Sequence, residues 1–170
     1  WPNYSLPALT YHEGNPGHHL QNSITQGPGE IPMLRRIAFY SAYGEGWALY
    51  AEQVADELGA YKGIERAGYL QSFLFRAERL VVDTGLHHKR WTREQATDHM
   101  VAATGFARPR VQREIERYCA SPGQACSYKI GHIAWVRARE KAQRALGARF
   151  DVRDFHDILS EGAMPLTIFE

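Results

Sequence analysis

Residues 11–21 read Tyr-His-Glu-Gly-Asn-Pro-Gly-His-His-Leu-Gln and place three histidines and one carboxylate within eight positions. Neutral imidazoles are common zinc ligands, and a zinc hydrolase also needs a carboxylate beside the water that the ion binds. His12 and Glu13, followed by His18 or His19, offer these groups. The stretch therefore predicts a metal site.

The spacing differs from His-Glu-x-x-His, in which two ligands four positions apart share one helical face. On a straight helix, His18 would point about 120° away from His12, and His19 would lie roughly 10 Å along the axis. Pro16 favours a bulge or break in the helix, or a new helix with Asn15 as its N-cap. Both paths would bring a later histidine back towards His12. The alternative is an ordinary Asn-Pro-Gly turn whose histidines are solvated.

Composition is typical of a globular protein, with 44% hydrophobic and 23% charged residues in a chain of 170. One domain over residues 1–170 is expected from this length. The formal net charge of +1 predicts neither a nucleic-acid partner nor an anionic membrane surface. No apolar run approaches the roughly 18 residues of a membrane span, so no membrane insertion is predicted. Cys119 and Cys126 are interpreted as buried free thiols.

The first residue is Trp1 rather than methionine, which suggests a processed product or a fragment. The N-terminal residues also lack the basic and apolar regions of a signal peptide. The compartment therefore stays open between periplasmic or secreted and cytoplasmic.

Apolar residues at helical spacing predict a mainly α fold with little or no β-structure. Pro2 and Pro7 favour an extended segment or edge strand over residues 1–10. The predicted helices cover residues 33–58, 63–82, 92–104, 109–120, 124–146 and 151–159, with a loop at 26–32 and breaks at 83–85 and 121–123. Thr92 should open its helix with a capping box. Pro165 is expected to prevent a regular helix at the end of the chain.

A second acidic segment lies within the helix predicted for residues 33–58. Glu45 and Glu52 are seven positions apart and would project from nearly one helix face. Gly44 and Gly46 flank Glu45 and lower the local helix propensity, which close approach to the histidine segment would explain. Glu45 is therefore a candidate third metal ligand, and Glu52 a candidate hydrogen-bond acceptor for a ligand histidine. The alternative is that both glutamates are solvated.

Six blocks of the sequence, in order, resemble the C-terminal part of a bacterial family catalogued as domain of unknown function 885. They are residues 12–21 (HEGNPGHHLQ), 45–52 (EGWALYAE), 83–88 (DTGLHH), 122–125 (PGQA), 127–129 (SYK) and 164–166 (MPL). Members of that family are several hundred residues long and are regarded as mainly helical, zincin-like metallopeptidases. The resemblance implies a catalytic fragment whose partner is a missing N-terminal region of the same protein.

The resemblance also implies roles for individual residues. It makes His12 and His18 zinc ligands, with His19 as the alternate, Glu13 the catalytic glutamate and Glu45 the third ligand.

An oxyanion donor is also needed. Tyr128 and either His87 or His88 are candidates by chemistry and by resemblance. The alternatives are a buried tyrosine with a satisfied hydroxyl and histidines at a helix end.

The sequence supports two hypotheses of function. The first is a Zn²⁺-dependent hydrolase acting on peptides through a zinc-bound water activated by Glu13, with Arg113 and Arg117 as candidates for binding a terminal carboxylate. In the alternative these arginines pair with Glu114 or Glu116. The second function is a non-catalytic helical module with an incomplete metal site. A two-histidine, one-carboxylate set also suits iron.

Overall fold

The computed structural model describes residues 2–27 and 31–170, and these residues form ten α-helices and no β-strand. The helices are α1 (Leu6–Glu13), α2 (His18–Gln26), α3 (Met33–Ile37), α4 (Ser41–Glu57), α5 (Glu65–His87), α6 (Arg93–Thr104), α7 (Arg108–Ala120), α8 (Ser127–Leu146), α9 (Val152–His156) and α10 (Leu166–Phe169). The mainly α fold predicted from the sequence is confirmed.

Helices α4 and α8 pack against each other through two glycines. A Cβ added to Gly46 would lie 2.4 Å from the carbonyl carbon of Gly131, and one added to Gly131 would lie 1.8 Å from the backbone oxygen of Ala42. Such contacts allow no side chain, so the helices approach more closely than alanine would permit. The glycine after Glu45 therefore serves the contact with α8. The prediction that close approach to the histidine segment explains both glycines is therefore wrong for Gly46, whereas Gly44 does face Gln21 of that segment.

Large aromatic side chains fill the space around this helix pair. Trp47 and Tyr50 of α4 and Trp135 of α8 are fully buried. The indole Nε1 of Trp135 donates a hydrogen bond of 3.1 Å to the backbone oxygen of Tyr43. The buried aromatics thus stabilise the helix that carries Glu45.

A second core lies between α5, α6 and α7, with Val82, Met100 and Ile115 fully buried. The capping box predicted at Thr92 is confirmed, because its side chain accepts from the Gln95 N–H and the Gln95 side chain accepts from the Thr92 N–H. This core packs against the C-terminal half of the long helix α5, which contributes Phe75 and Val82 to it.

Several predicted boundaries are wrong for local reasons. The first segment is a 3₁₀ turn followed by α1 rather than a strand, and Pro7 lies in the first turn of that helix, where its missing N–H has no helical partner to lose. Residues 33–58 form two helices, since Ala38 is extended between α3 and α4. Pro165 precedes the four-residue helix α10 rather than excluding one. The loop predicted at 26–32 lies partly outside the described residues.

The break predicted at residues 83–85 is also wrong, because α5 continues to His87. The Asp83 side chain is buried and accepts the Gly123 N–H with both oxygens, at 3.1 Å each. Gly85 faces the Trp91 ring so closely that a Cβ there would lie 2.5 Å from ring carbon Cε3. Tertiary packing therefore accounts for both residues within the helix.

The two cysteines are free, as predicted, but they are not both buried. Cys119 is exposed and Cys126 is half-buried. No helix in the described ranges combines the length and the apolar character that crossing a membrane requires.

His132 of α8 is expected to make the protein sensitive to acid. Its Nδ1 lies 3.2 Å from Lys129 Nζ and its Nε2 lies 2.7 Å from Gln53 Oε1. Burial, together with the Lys129 ammonium, lowers the pKa of His132 to about 3. The unfolded chain therefore binds one more proton between about pH 6 and pH 3, and the free energy of unfolding falls by up to about 1.4 kcal/mol per pH unit on acidification.

Urea unfolding of the parent and of His132→Gln at pH 7, 6 and 5 checks this expectation. The variant should show a shallower decline of stability with acid, because it has no imidazole to protonate. Equal slopes would contradict it.

Candidate metal centre

Three side chains from three helices meet at one place. His18 Nε2 lies 3.2 Å from Glu45 Oε2, and His12 Nε2 lies 3.7 Å from the same oxygen. One ligand atom from each of the three residues lies within 4.8 Å of the other two. Tetrahedral ligands about 2.1 Å from a zinc ion would be roughly 3.4 Å apart. The donor set and its spacing therefore fit zinc.

The turn between α1 and α2 brings the two histidines together. Helix α1 ends at Glu13, the Asn15–Pro16 peptide bond is cis, and Gly17 is the N-cap of α2. A Cβ on Gly17 would lie 1.8 Å from the backbone oxygen of His12, so only glycine fits. The chain breaks between the two helices, and the predicted N-cap at Asn15 is wrong by two positions.

Helix α4 holds this turn from the other side. The indole Nε1 of Trp47 donates to the backbone oxygens of Pro16, at 2.9 Å, and Gly17, at 3.2 Å. Trp47 lies two positions after Glu45. The same helix therefore supplies the carboxylate and positions the segment that carries His18.

Glu52 supports His12 from behind. It is fully buried, and its Oε1 lies 2.8 Å from His12 Nδ1, while its Oε2 accepts a 2.6 Å hydrogen bond from Ser72. Arg76 Nη2 lies 3.7 Å from Oε1, and Arg76 also donates to Ser72. A carboxylate at Nδ1 favours the tautomer that protonates this nitrogen and leaves Nε2 free to bind a metal.

The cluster is strongly coupled electrostatically. Burial raises the pKa of Glu45, but hydrogen bonds with His12 and His18 outweigh it and lower the pKa to about 2. Burial lowers the pKa of His12, but hydrogen bonds to Glu45 and Glu52 outweigh it and raise the pKa above its ordinary value. Hydrogen bonds to the two carboxylates thus favour the protonated form of His12, and a metal ion bound at Nε2 would displace that proton.

Glu13 and Tyr128 lie in the cleft beside this cluster. Both line the same cavity of about 500 Å³ as His12. The Tyr128 ring stacks near the His12 ring, with centroids 6.1 Å apart, and Gln124 Nε2 donates to its hydroxyl at 3.5 Å. The exposed Glu13 side chain makes no ion pair with any residue in the described ranges.

The other predicted histidines lie elsewhere. The exposed His19 contacts the next turn of its own helix, where its Nδ1 lies 3.1 Å from Ser23 Oγ. His87 lies at the end of α5 and contacts Asp83 of its own helix, at 3.0 Å. His88 is the exposed C-cap residue that follows. The prediction that His87 or His88 follows a turn is wrong, and neither lines the cleft that His12 and Glu13 share.

The two arginines predicted to bind a terminal carboxylate, Arg113 and Arg117, lie in different surroundings. Arg117 pairs with Glu114 at 3.1 Å and with Gln124 at 2.7 Å, so the pairing alternative applies to it. Arg113 is exposed and lines the cleft.

Sequence reasoning missed three polar residues of α5. Ser72, Arg76 and Arg79 are spaced four and three positions apart and therefore share one helix face. That spacing between apolar neighbours was a usable signal of a buried polar face. Their partners on α4 and α7 are far away in sequence, so the signal did not identify the site.

Fold and site together define a helical protein with a two-histidine, one-carboxylate cluster beside an open cleft. Residues 1–170 match the family described as "Bacterial protein of unknown function (DUF885)", and the chain belongs to that family. No curated protein matches the chain.

Two solved structures are similar over nearly the whole chain. The crystal structure of "the putative lipoprotein from Colwellia psychrerythraea" is 54% identical, with a TM-score of 0.96, and the match covers 99% of this chain and 29% of that one. A "putative lipoprotein of unknown function from Shewanella oneidensis" is 27% identical, with a TM-score of 0.88, over 98% of this chain and 31% of that one. The chain thus spans about a third of each of these proteins.

Proposed function

We propose that this chain carries the catalytic centre of a zinc-dependent peptidase with a zincin-like site. The observation that carries the proposal is the clustering of His12, His18 and Glu45 ligand atoms within 4.8 Å of one another, beside a cleft that Glu13 also lines. Two histidines and one carboxylate are a ligand set of catalytic zinc sites. When bound, zinc polarises a carbonyl group and lowers the pKa of a coordinated water.

Each residue of the cluster and of the adjacent cleft has a separate role in the proposed reaction. His12 and His18 would hold the ion through Nε2, and Glu45 would hold it through Oε2. Glu52 accepts the His12 Nδ1–H and keeps the ring in the required tautomer. The Glu13 carboxylate takes a proton from the attacking water and passes it to the leaving amine. The Tyr128 hydroxyl donates to the developing oxyanion.

Metal content tests the proposed site directly. The protein is washed with chelator, zinc is restored, and the bound metal is measured by elemental analysis. The parent is expected to hold one zinc per chain, and His18→Ala or Glu45→Ala should lose it because each removes one ligand atom of three.

His19→Ala is the matched control, since this neighbouring imidazole faces Ser23 rather than Glu45. It should bind zinc like the parent. Loss of zinc in His19→Ala with retention in His18→Ala would contradict the assignment, and a parent that binds no zinc would contradict the proposal. Iron instead of zinc in the untreated protein would contradict the zinc assignment and favour iron chemistry at the same ligands.

A second candidate function is a non-catalytic helical module. The observation that favours it is that the Glu45 carboxylate already accepts a hydrogen bond of 3.2 Å from His18, so the cluster is satisfied by protons alone. Unchanged metal content across all of these variants would favour this module.

A further inference from the structure

The cleft beside the metal cluster is rich in arginine. Its volume is about 500 Å³, and four arginines line it, namely Arg76, Arg79, Arg110 and Arg113. Among its described lining residues only Glu13 and Glu114 are acidic, so the lining side chains carry a formal surplus of two positive charges. The buried Glu52, 3.7 Å from Arg76, offsets one of these charges. A concave surface with an excess of one charge sign attracts ligands of the opposite sign.

Arg79 makes several contacts at the wall of this cleft. Its guanidinium carbon lies 4.4 Å from the centroids of both the Phe75 and Tyr128 rings. Its Nη2 donates to Glu114 at 3.0 Å, and its Nε donates to the Tyr118 hydroxyl at 3.1 Å. The residue is only 6% exposed, and its buried Nη1 has no hydrogen-bond partner in the described part of the chain. A buried guanidinium with a donor to spare is unusual, because unsatisfied buried donors are costly.

Arg76 joins the arginines to the metal cluster. It donates to Ser72, whose hydroxyl donates to the Glu52 carboxylate beside His12. The buried Nε of Arg76 also has no partner among the described residues. Because His12 and Glu13 line the same cleft as the arginines, a ligand bound at the arginines would lie next to the proposed reaction centre.

Arg113 is the accessible member of the set. It lies on α7 at the cleft and is exposed, and it forms no ion pair with any residue of the described ranges. Its five N–H donors are available to a ligand in the cleft.

Resting on the proposed peptidase function, we infer that this cleft binds a carboxylate of the peptide substrate. Guanidinium groups bind carboxylates through two parallel N–H···O bonds and remain charged at all working pH values. The carboxylate is supplied by a free C-terminus or by an acidic side chain. The substrates of the site are accordingly acidic or C-terminally free peptides rather than neutral ones.

Three peptides separate these sources. The first is acetylated tetra-alanine with a free C-terminus, the second is its C-terminal amide, and the third is the amide with one alanine replaced by glutamate. Their dissociation constants are measured by calorimetry on the zinc-free protein, which cannot turn them over by the proposed mechanism. At least one acidic peptide should bind about tenfold more tightly than the neutral amide, the factor expected for one charge-assisted hydrogen bond.

The variant Arg113→Gln should remove most of that preference. Arg137→Gln is the matched control, because Arg137 is also an exposed helical arginine without an ion pair in the described part of the chain, but it does not line the cleft. Circular dichroism establishes that both variants are folded. The inference is overturned if the three peptides bind alike, or if Arg113→Gln binds them as the parent does.

Hydrolysis of the same peptides by the zinc-restored protein separates this inference from the proposed function. Equal cleavage of all three would overturn the inference and leave the peptidase proposal standing. Selective binding of an acidic peptide without cleavage of any would support the carboxylate site and contradict the peptidase proposal.

Discussion

Glu13→Gln is expected to keep its bound zinc and to lose peptide hydrolysis by about 10²- to 10⁴-fold, the usual contribution of a general base. The amide has nearly the same shape as the carboxylate but cannot accept the proton. Glu13 lines the cleft next to His12 and is not one of the three clustered ligands, so metal content should not change. Peptide cleavage followed by mass spectrometry, with zinc measured on the same samples, checks both parts.

Glu140→Gln is a suitable control for loss of a carboxylate. Glu140 lies on the exposed side of α8, 3.7 Å from Arg144, and its replacement should leave both zinc and hydrolysis unchanged. An active Glu13→Gln protein would exclude the mechanism even if the zinc site were real. Loss of zinc in Glu13→Gln would instead mean that this carboxylate is a ligand.

Gly46→Ala is expected to lower the free energy of unfolding by about 1–3 kcal/mol, the typical cost of forcing an extra methyl group into a packed interface. The added Cβ would lie 2.4 Å from the backbone of Gly131. Neither backbone can move without displacing a helix, so α4 and α8 must separate. Urea unfolding followed by circular dichroism gives the change in stability.

Gly44→Ala, two positions away in the same helix, is the matched control. A Cβ at Gly44 would lie 3.6 Å from Gln21 Oε1, which is ordinary van der Waals contact. This variant should gain up to about 1 kcal/mol from the higher helix propensity of alanine. Equal effects at the two positions would mean that helix propensity, and not the contact with α8, determines the result.

Much of the fold could be predicted from local patterns. The helix opening at Thr92 followed from its side chain and that of Gln95, since both partners of a capping box lie within four residues. The end of α5 could not be predicted in this way. Asp83 and Gly85 resemble a turn locally, but the contacts that keep them in the helix come from Gly123 and Trp91.

The kinds of residue in the candidate site could be predicted from the sequence, but the spacing alone did not decide which of the two adjacent histidines approaches Glu45. Histidine and glutamate at positions 12, 13, 18 and 45 indicated metal chemistry before any geometry was known. The resemblance favoured His18 over His19 as a ligand, whereas the spacing alone left both open. The direction in which α2 leaves Gly17 brings His18 to Glu45 and His19 to Ser23. Glu52 was predicted to accept a hydrogen bond from a ligand histidine, and its Oε1 lies 2.8 Å from His12 Nδ1.

By itself the sequence determined the helical architecture and the kinds of ligand present, because helical periodicity and capping depend on residues within about four positions of one another. Only the tertiary structure decided which histidine meets Glu45, and why Gly46 is glycine. It also decided that Arg76 and Arg79 lie beside the same cleft as Glu13. These features depend on how α1, α2, α4, α5 and α8 pack against one another, and packing joins residues whose separation along the chain carries no local signal.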